Sequence, residues 1–147
     1  MPTRPPEFDK LAEALKPVLA GFPPKIIAID GRSFAGKTTL GRFLAWYFNS
    51  TLLELDLFLA EGGLVHRYEE IERIVKQRLD GKRPVFVEGI TVLNVLRKIG
   101  RTHDYLIYVR NPKYPNGAGF GKELTEYDKE FVPASKADYL LEGAHDG

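Results

Sequence analysis

The sequence contains no cysteine, and it has only one methionine and one tryptophan among its 147 residues. Without cysteine, the chain has no disulfide, no thiol nucleophile and no cysteine-ligated metal. Its three histidines, His66, His103 and His145, show no metal-ligand spacing. No apolar run approaches the roughly 20 residues that cross a bilayer, and the first ten residues, MPTRPPEFDK, lack the apolar stretch of a secretory signal. We therefore expect a cytoplasmic protein without a membrane partner.

The sequence also lacks a strong excess of charge. Lys and Arg number 21 against 20 Asp and Glu, giving a formal net charge of +1. This balance argues against a broad nucleic-acid-binding surface. The length, with 44% hydrophobic residues, suits one domain over residues 1–147 with a sizeable core.

A phosphate-binding loop is the strongest motif in the chain. Residues 26–30 form a short apolar run typical of a buried parallel strand. Residues 31–38 then match G-x-x-x-x-G-K-[ST], and an amphipathic helix is predicted over 39–49. The alternative is a Gly-rich turn with a surface lysine, which the flanking strand and helix disfavour. The residues predicted to contact nucleotide are Gly31, Arg32, Ser33, Phe34, Ala35, Gly36, Lys37, Thr38 and Thr39.

Each residue type in this loop has a chemical reason. Gly31 and Gly36 allow the tight backbone turn that brings N–H groups to phosphate oxygens. The N-terminus of the following helix adds its positive dipole end. Lys37 can reach the β- and γ-phosphates, and the Thr38 hydroxyl can ligate Mg²⁺. The motif thus predicts a nucleotide and Mg²⁺ as ligands.

Acidic residues follow two further predicted strands. Residues 51–55 read as a strand that ends beside Asp56, and residues 84–87 as one that ends in Glu88 and Gly89. Ligands of open α/β sheets bind beyond the carboxyl ends of the strands. Asp56 could therefore accept a proton from an acceptor hydroxyl or bind Mg²⁺ through water, unless it is an exposed loop residue. Glu88 could hold the Mg²⁺ shell, the alternative being a helix cap.

The remaining elements alternate in type. Helices are predicted over 7–20, 68–79 and 90–99, and strands over 105–109 and 138–142. Another helical stripe is formed by Phe120, Leu124, Tyr127 and Phe131. The pattern predicts a P-loop NTPase three-layer α/β sandwich, with an about five-stranded parallel sheet and helices on both faces. Residues 1–23 would be an N-terminal helical extension. The Gly- and Pro-rich segment 110–121 is either a lid or a long connection.

The chain resembles the uridine kinase-like group of P-loop kinases. The similarity lies in IAIDGRSFAGKTTL, in LELDLF with Asp56, in VFVEGI with Glu88, and in EYDKEFVPASKADYLL near the C-terminus. It implies a central P-loop strand and an aspartate, Asp56, that acts as base or orienter for an acceptor hydroxyl. Two features depart from the family. The stretch between the second and third strands is short, and Arg110 alone stands where the family's lid is rich in arginine.

These observations lead to a kinase hypothesis with two alternatives. The leading one is ATP- and Mg²⁺-dependent phosphotransfer to a small-molecule hydroxyl, such as that of a nucleoside like uridine. In it, Lys37, Asp56 and Arg110 are catalytic, and Thr38 and Glu88 hold the metal. The second is a nucleotide-binding module with little catalysis, and the third is an NTPase switch that uses water as acceptor. The identity of the acceptor, the choice between ATP and GTP, and the oligomeric state stay open.

Overall fold

A parallel sheet forms the centre of the structure. The structure is a computed structural model, and it describes residues 5–32, 35–60, 63–111 and 121–142. Among these residues the sheet has five strands in the order β2-β3-β1-β4-β5, and all paired neighbours are parallel. The strand that precedes the P-loop is therefore central, as the resemblance implies. The strands are β1 Ile26–Gly31, β2 Thr51–Glu54, β3 Val85–Glu88, β4 Tyr105–Arg110 and β5 Tyr139–Glu142.

Helices cover both faces of the sheet. The helices are α1 Pro6–Leu15, α2 Lys37–Tyr47, α3 Tyr68–Asp80, α4 Val92–Lys98, α5 Gly121–Phe131 and α6 Pro133–Lys136, and a 3₁₀ turn spans Leu55–Phe58. Because side chains alternate along a strand, Ile26 and Ala28 pack with α3 and α4, whereas Ile27 and Ile29 pack with α1 and α2. All residues of β1 are buried, as expected for a strand covered on both faces. The predicted α/β three-layer architecture is thus confirmed.

Helix boundaries differ from the sequence-based prediction where the backbone leaves the helical region. The helix predicted over 7–20 ends at Leu15, because Pro17 has no N–H to continue it. The helix predicted over 90–99 begins only at Val92, because Thr91 has φ 56° in the left-handed region. Asn49, also left-handed at φ 49°, follows α2 as a stop residue.

Further small differences occur at the other ends. The loop helix α2 begins at Lys37, two residues before the predicted start, and ends at Tyr47. The four-residue helix α6 was not predicted, because so short a segment carries no periodicity. In the described part of the chain, no helix is both long and apolar enough to cross a membrane.

Candidate active site at the carboxyl edge of the sheet

The parallel sheet brings the predicted site residues to one edge. The P-loop follows β1, Asp56 lies in the turn after β2, Glu88 ends β3, and Arg110 ends β4. Since the strands are parallel and neighbouring, all four positions lie at the carboxyl edge of the sheet. The fold therefore places the predicted residues on the side where open α/β sheets bind ligands.

Glycines shape the beginning and the end of the P-loop. Gly31 has φ 151°, and a Cβ at this position would lie 2.4 Å from the carbonyl oxygen of Val109 on β4. Gly36 has φ 96° and caps α2 in the left-handed region. Both backbone conformations disfavour a side chain, and Gly31 also lacks the space for one. Ser33 and Phe34, two of the predicted nucleotide contacts, lie outside the described residues.

Lys37, the lysine predicted to contact phosphate, is buried within the P-loop. The residue is only 7% exposed, and Nζ donates a 2.8 Å hydrogen bond to the carbonyl oxygen of Arg32. Burial lowers the pKa of Lys37, while the carboxylates of Glu88, Asp30 and Asp56 act in the opposite direction. The ammonium group is thus held inside the loop and is surrounded by acidic residues.

Thr38 and Glu88 are in direct contact. The Thr38 hydroxyl donates a 2.6 Å hydrogen bond to Oε2 of Glu88, which is 1% exposed. Burial raises the pKa of Glu88, and the hydrogen bond from Thr38 and the charge of Lys37 oppose this increase. The contact joins the start of α2 to the end of β3, which brings together the two residues predicted to hold a metal.

These oxygens suit a magnesium ion. Mg²⁺ prefers oxygen ligands, keeps several waters, and is usually held by one or two protein groups together with substrate phosphates. A hydroxyl and a carboxylate 2.6 Å apart beside a phosphate-binding loop match that donor set. No group of three or more His, Asp or Glu side chains able to hold a metal without phosphate occurs within the described ranges.

Asp56 lies in the 3₁₀ turn Leu55–Phe58 and is exposed. Its carboxylate favours the charged form of Lys37 and of His66, and it disfavours the ionised form of Glu88. Asp56 is thus near enough to the P-loop lysine and to Glu88 to act on both electrostatically. It combines this proximity with access from solvent.

Arg110 has a partner on the edge strand. Nη1 of Arg110 lies 3.5 Å from Oε1 of Glu142, and the register of β4 and β5 pairs the same two residues. Both side chains are exposed, at 44% and 56%. Of the predicted lid, only Arg110, Asn111 and Gly121 are among the described residues.

A buried pair beneath the P-loop was not assigned from the sequence. The Tyr127 hydroxyl on α5 donates a 2.6 Å hydrogen bond to Oδ2 of Asp30, and it accepts one of 3.1 Å from the N–H of Leu93. The Gly31 N–H donates to the other carboxylate oxygen of Asp30 at 2.8 Å. Burial raises the pKa of Asp30 to about 6, although the hydrogen bonds from Tyr127 and Gly31 and the charge of Lys37 act to lower it. Burial and the nearby Asp30 also raise the pKa of Tyr127.

A second contact joins α5 to the loop. Nη2 of Arg32 lies 2.6 Å from Oδ2 of Asp128, with side-chain exposures of 14% and 36%. Of the neighbouring residues on α5, Tyr127 therefore contacts Asp30 just before the P-loop, and Asp128 contacts Arg32 within it. The sequence offered one signal for this, an aspartate inside an otherwise apolar strand, but nothing that named its partner.

Comparisons with known proteins support the class of fold. No family model matches the chain, and no curated protein matches it. Among solved structures, a possible uridine kinase from Bacillus stearothermophilus has a TM-score of 0.63 and 16% sequence identity, over 92% of this chain and 97% of that one. Shikimate kinase from Acinetobacter baumannii, in complex with shikimate, has a TM-score of 0.50 and 19% identity, over 90% and 89%. The chain therefore shares its fold with these two kinase structures.

Proposed function

We propose that this protein is an ATP- and Mg²⁺-dependent kinase that phosphorylates a hydroxyl group of a small molecule. The observation that carries the proposal is the meeting of three parts at one sheet edge. These are a P-loop with a buried lysine, the Thr38–Glu88 contact of 2.6 Å, and the accessible carboxylate of Asp56. The similarity to a possible uridine kinase and to a shikimate kinase supports the same class.

Lys37 and the loop amides would hold the phosphates of ATP. In the structure, Nζ of Lys37 donates to the Arg32 carbonyl, so phosphate oxygens would take over a donor that is already held in the loop. A fixed donor costs little reorganisation when charge develops on the transferring phosphoryl group. Thr38 and Glu88 would hold Mg²⁺, whose charge would offset the negative charge of the phosphates.

Asp56 would orient the acceptor hydroxyl and receive its proton. The acceptor oxygen then forms a bond to the γ-phosphorus while the bond from that phosphorus to the β–γ bridging oxygen breaks, releasing ADP. Arg110 would contribute by leaving Glu142 and pairing with the negative charge of the phosphates. Residues 1–147 would form one catalytic domain with residues 1–23 as a helical extension, and we propose that the protein acts in the cytoplasm.

The direct test is phosphotransfer from γ-labelled ATP with Mg²⁺ to a panel of nucleosides, sugars and vitamins. Lys37→Ala is the control for the P-loop, and Lys98→Ala, an exposed lysine on α4, is the matched control for loss of a lysine. Labelled product that depends on an acceptor, disappears with Lys37→Ala and persists with Lys98→Ala would support the kinase. Phosphate release in the absence of any acceptor would support a water-using NTPase instead.

A nucleotide-binding module is the second candidate, and one observation favours it. Arg110 is paired with Glu142, and Arg32, the arginine within the loop, is paired with Asp128. If both ion pairs persist when nucleotide is bound, neither Arg110 nor Arg32 is available to stabilise the transferring phosphoryl group. This candidate predicts nucleotide-dependent thermal stabilisation without product on any acceptor.

A further inference from the structure

His66 is a buried histidine without a hydrogen-bond partner at the edge where the acceptor would bind. In the described part of the chain, three buried side-chain polar atoms have no partner: both ring nitrogens of His66 and the hydroxyl of Thr91. His66 is 3% exposed and Thr91 is 5% exposed. Buried polar groups are hydrogen-bonded in the great majority of cases, so each exception requires an explanation.

The topology places both exceptions beside the proposed site. His66 ends the connection from β2 to α3, two residues before that helix begins at Tyr68, and Thr91 lies in the connection from β3 to α4. Each connection starts at the carboxyl end of its strand, and β2 and β3 are neighbours. The unpaired atoms therefore lie at the same edge as the P-loop, on the side of Asp56 and Glu88.

The backbone fixes the position of His66. His66 pairs with Leu59 in an antiparallel bridge, and the N–H groups of Ala60 and Arg67 donate to the carbonyl oxygens of Val65 and Phe58 at 2.7 and 2.8 Å. This short hairpin begins just after the turn that carries Asp56, and the carboxylate of Asp56 acts on the imidazole. The backbone thus holds the imidazole near Asp56, the residue that would orient the acceptor hydroxyl.

The surroundings of His66 determine the charge of the group that it can bind. Burial lowers the pKa of His66, so the ring is neutral at pH 7 and offers one donor nitrogen and one acceptor nitrogen. The neighbouring Asp56 carboxylate would repel an anion. The adjacent cation, Arg67, is already engaged, since it donates to the Leu57 carbonyl at 2.6 Å and lies 3.4 Å from Glu70.

We propose that His66 recognises the acceptor molecule, and that the acceptor group which it binds is an uncharged hydroxyl or amide. This inference rests on the proposed kinase function and narrows its substrate class. Polyhydroxylated neutral compounds, such as nucleosides and sugars, would be acceptors. Carboxylate- or phosphate-bearing compounds of similar size would be poor ones.

The test measures acceptor binding and phosphotransfer separately. Binding of each panel compound to the protein with Mg²⁺ and a non-hydrolysable ATP analogue is followed by calorimetry, and phosphotransfer is followed with ATP. The panel sets uridine and ribose against UMP and shikimate. His66→Phe removes both nitrogens at similar shape, and His66→Gln restores a donor and an acceptor. His103→Phe, a histidine just before β4 at the opposite edge of the sheet, is the matched control.

We expect His66→Phe to weaken binding of the neutral acceptor, and to raise its KM, by about 10-fold to 100-fold. The KM for ATP should stay within about 2-fold, His66→Gln should recover part of the loss, and His103→Phe should change neither constant. The thermal midpoint of His66→Phe should not fall, because the variant removes unpaired buried polar atoms. This separates a recognition role from a structural one.

Three results would overturn the inference. They are unchanged acceptor binding in His66→Phe, preference for UMP or shikimate over the neutral compounds, and no acceptor binding by the wild-type protein at all. Failure of the kinase proposal looks different. Neutral acceptors would then bind in a His66-dependent manner without receiving phosphate.

Discussion

The two halves of the candidate site differ in how completely their polar groups are paired within the protein. One half, where we propose that phosphate binds, is the phosphate side, formed by residues 30–32, 35–39 and 88, and its key groups have protein partners. Lys37 binds the Arg32 carbonyl, Thr38 binds Glu88, and Asp30 binds Tyr127. The other half, where we propose that the acceptor binds, is the acceptor side, formed by residues 56–60 and 63–67. There Asp56 is exposed and both nitrogens of His66 are unpaired.

This difference indicates what each half requires from a ligand. The phosphate side is held in place by its own hydrogen bonds, so nucleotide would exchange one set of satisfied contacts for another. The acceptor side has hydrogen-bonding capacity that its own residues leave unused, so its affinity should depend on what the ligand supplies. Substitutions on the phosphate side should therefore change both folding and activity, whereas those on the acceptor side should change activity alone.

The largest expected effect is that of Gly31→Ala on the phosphate side. The added methyl group would lie 2.4 Å from the Val109 carbonyl oxygen at a φ of 151°. Strands β1 and β4 must then move apart at the base of the P-loop. We therefore expect the free energy of unfolding to fall by about 3–5 kcal/mol. Thermal and urea unfolding measure it.

Gly100→Ala is the control for this substitution. Gly100 also has a positive φ, 74°, but no atom within 4 Å of an added Cβ. Backbone strain alone should then lower the free energy of unfolding, by about 1 kcal/mol. Equal losses in the two variants would contradict the close approach of β1 and β4 at Gly31.

On the acceptor side, Asp56→Asn should change activity strongly and stability very little. The amide cannot accept the proton of the acceptor hydroxyl, and we expect kcat to fall by about 10²- to 10⁴-fold. Because Asp56 is exposed, the free energy of unfolding should change by about 0.5 kcal/mol or less, and ATP affinity should stay nearly the same. Asp80→Asn, an exposed aspartate at the end of α3, is the control. Unchanged kcat in Asp56→Asn would remove Asp56 from the mechanism.

The same contrast explains how far sequence reasoning could reach. The fold class, the central P-loop strand and the placement of Asp56 and Glu88 at strand ends were predictable, because they depend on local patterns and on the resemblance. The structure brings Thr38 and Glu88 into contact, as the role that we propose for them as metal ligands would require. The catalytic roles of Lys37, Asp56 and Arg110 remain predictions.

Contacts between distant segments were not predictable. Asp30 and Tyr127 are 97 positions apart, and Tyr127 looked like one apolar member of a helical stripe. From the sequence, His66 was only one of three histidines without metal-ligand spacing, since burial of its ring depends on the hairpin with Leu59. Such features result from tertiary packing, and a single sequence carries no periodicity that would identify them.

Asp30→Asn should alter how stability depends on pH. Asp30 has an ordinary pKa of 3.8 and a folded pKa of about 6, raised by burial and opposed by Tyr127 and Lys37, with Asp128 adding to the increase. The folded state therefore holds the proton more tightly, so this residue's contribution to stability is greatest below pH 3.8 and is lost as pH rises through 6. Between pH 4 and pH 7, the free energy of unfolding of the wild type should therefore fall by about 2–3 kcal/mol relative to that of Asp30→Asn.

Urea unfolding of both proteins across this pH range measures the difference. Tyr127→Phe sharpens the experiment, because it removes the hydroxyl that donates to Asp30 at 2.6 Å and should move the midpoint of the loss to higher pH. Parallel stability curves for the wild type and Asp30→Asn would show that Asp30 does not titrate in this way.

The smallest expected effect concerns the ion pair that joins the P-loop to α5. The Arg32–Asp128 and Arg97–Glu130 pairs have the same N–O distance, 2.6 Å, but their side-chain exposures are 14% and 36% in the first and 55% and 56% in the second. Because water screens the exposed pair more strongly, double-mutant cycles with alanine should give a coupling of about 1 kcal/mol for Arg32–Asp128 and about 0.3 kcal/mol for Arg97–Glu130. Urea unfolding of the single and double variants supplies both values. A coupling for Arg32–Asp128 no larger than that of the exposed pair would show that α5 does not secure the loop through this contact, leaving Asp30–Tyr127 as the connection between them.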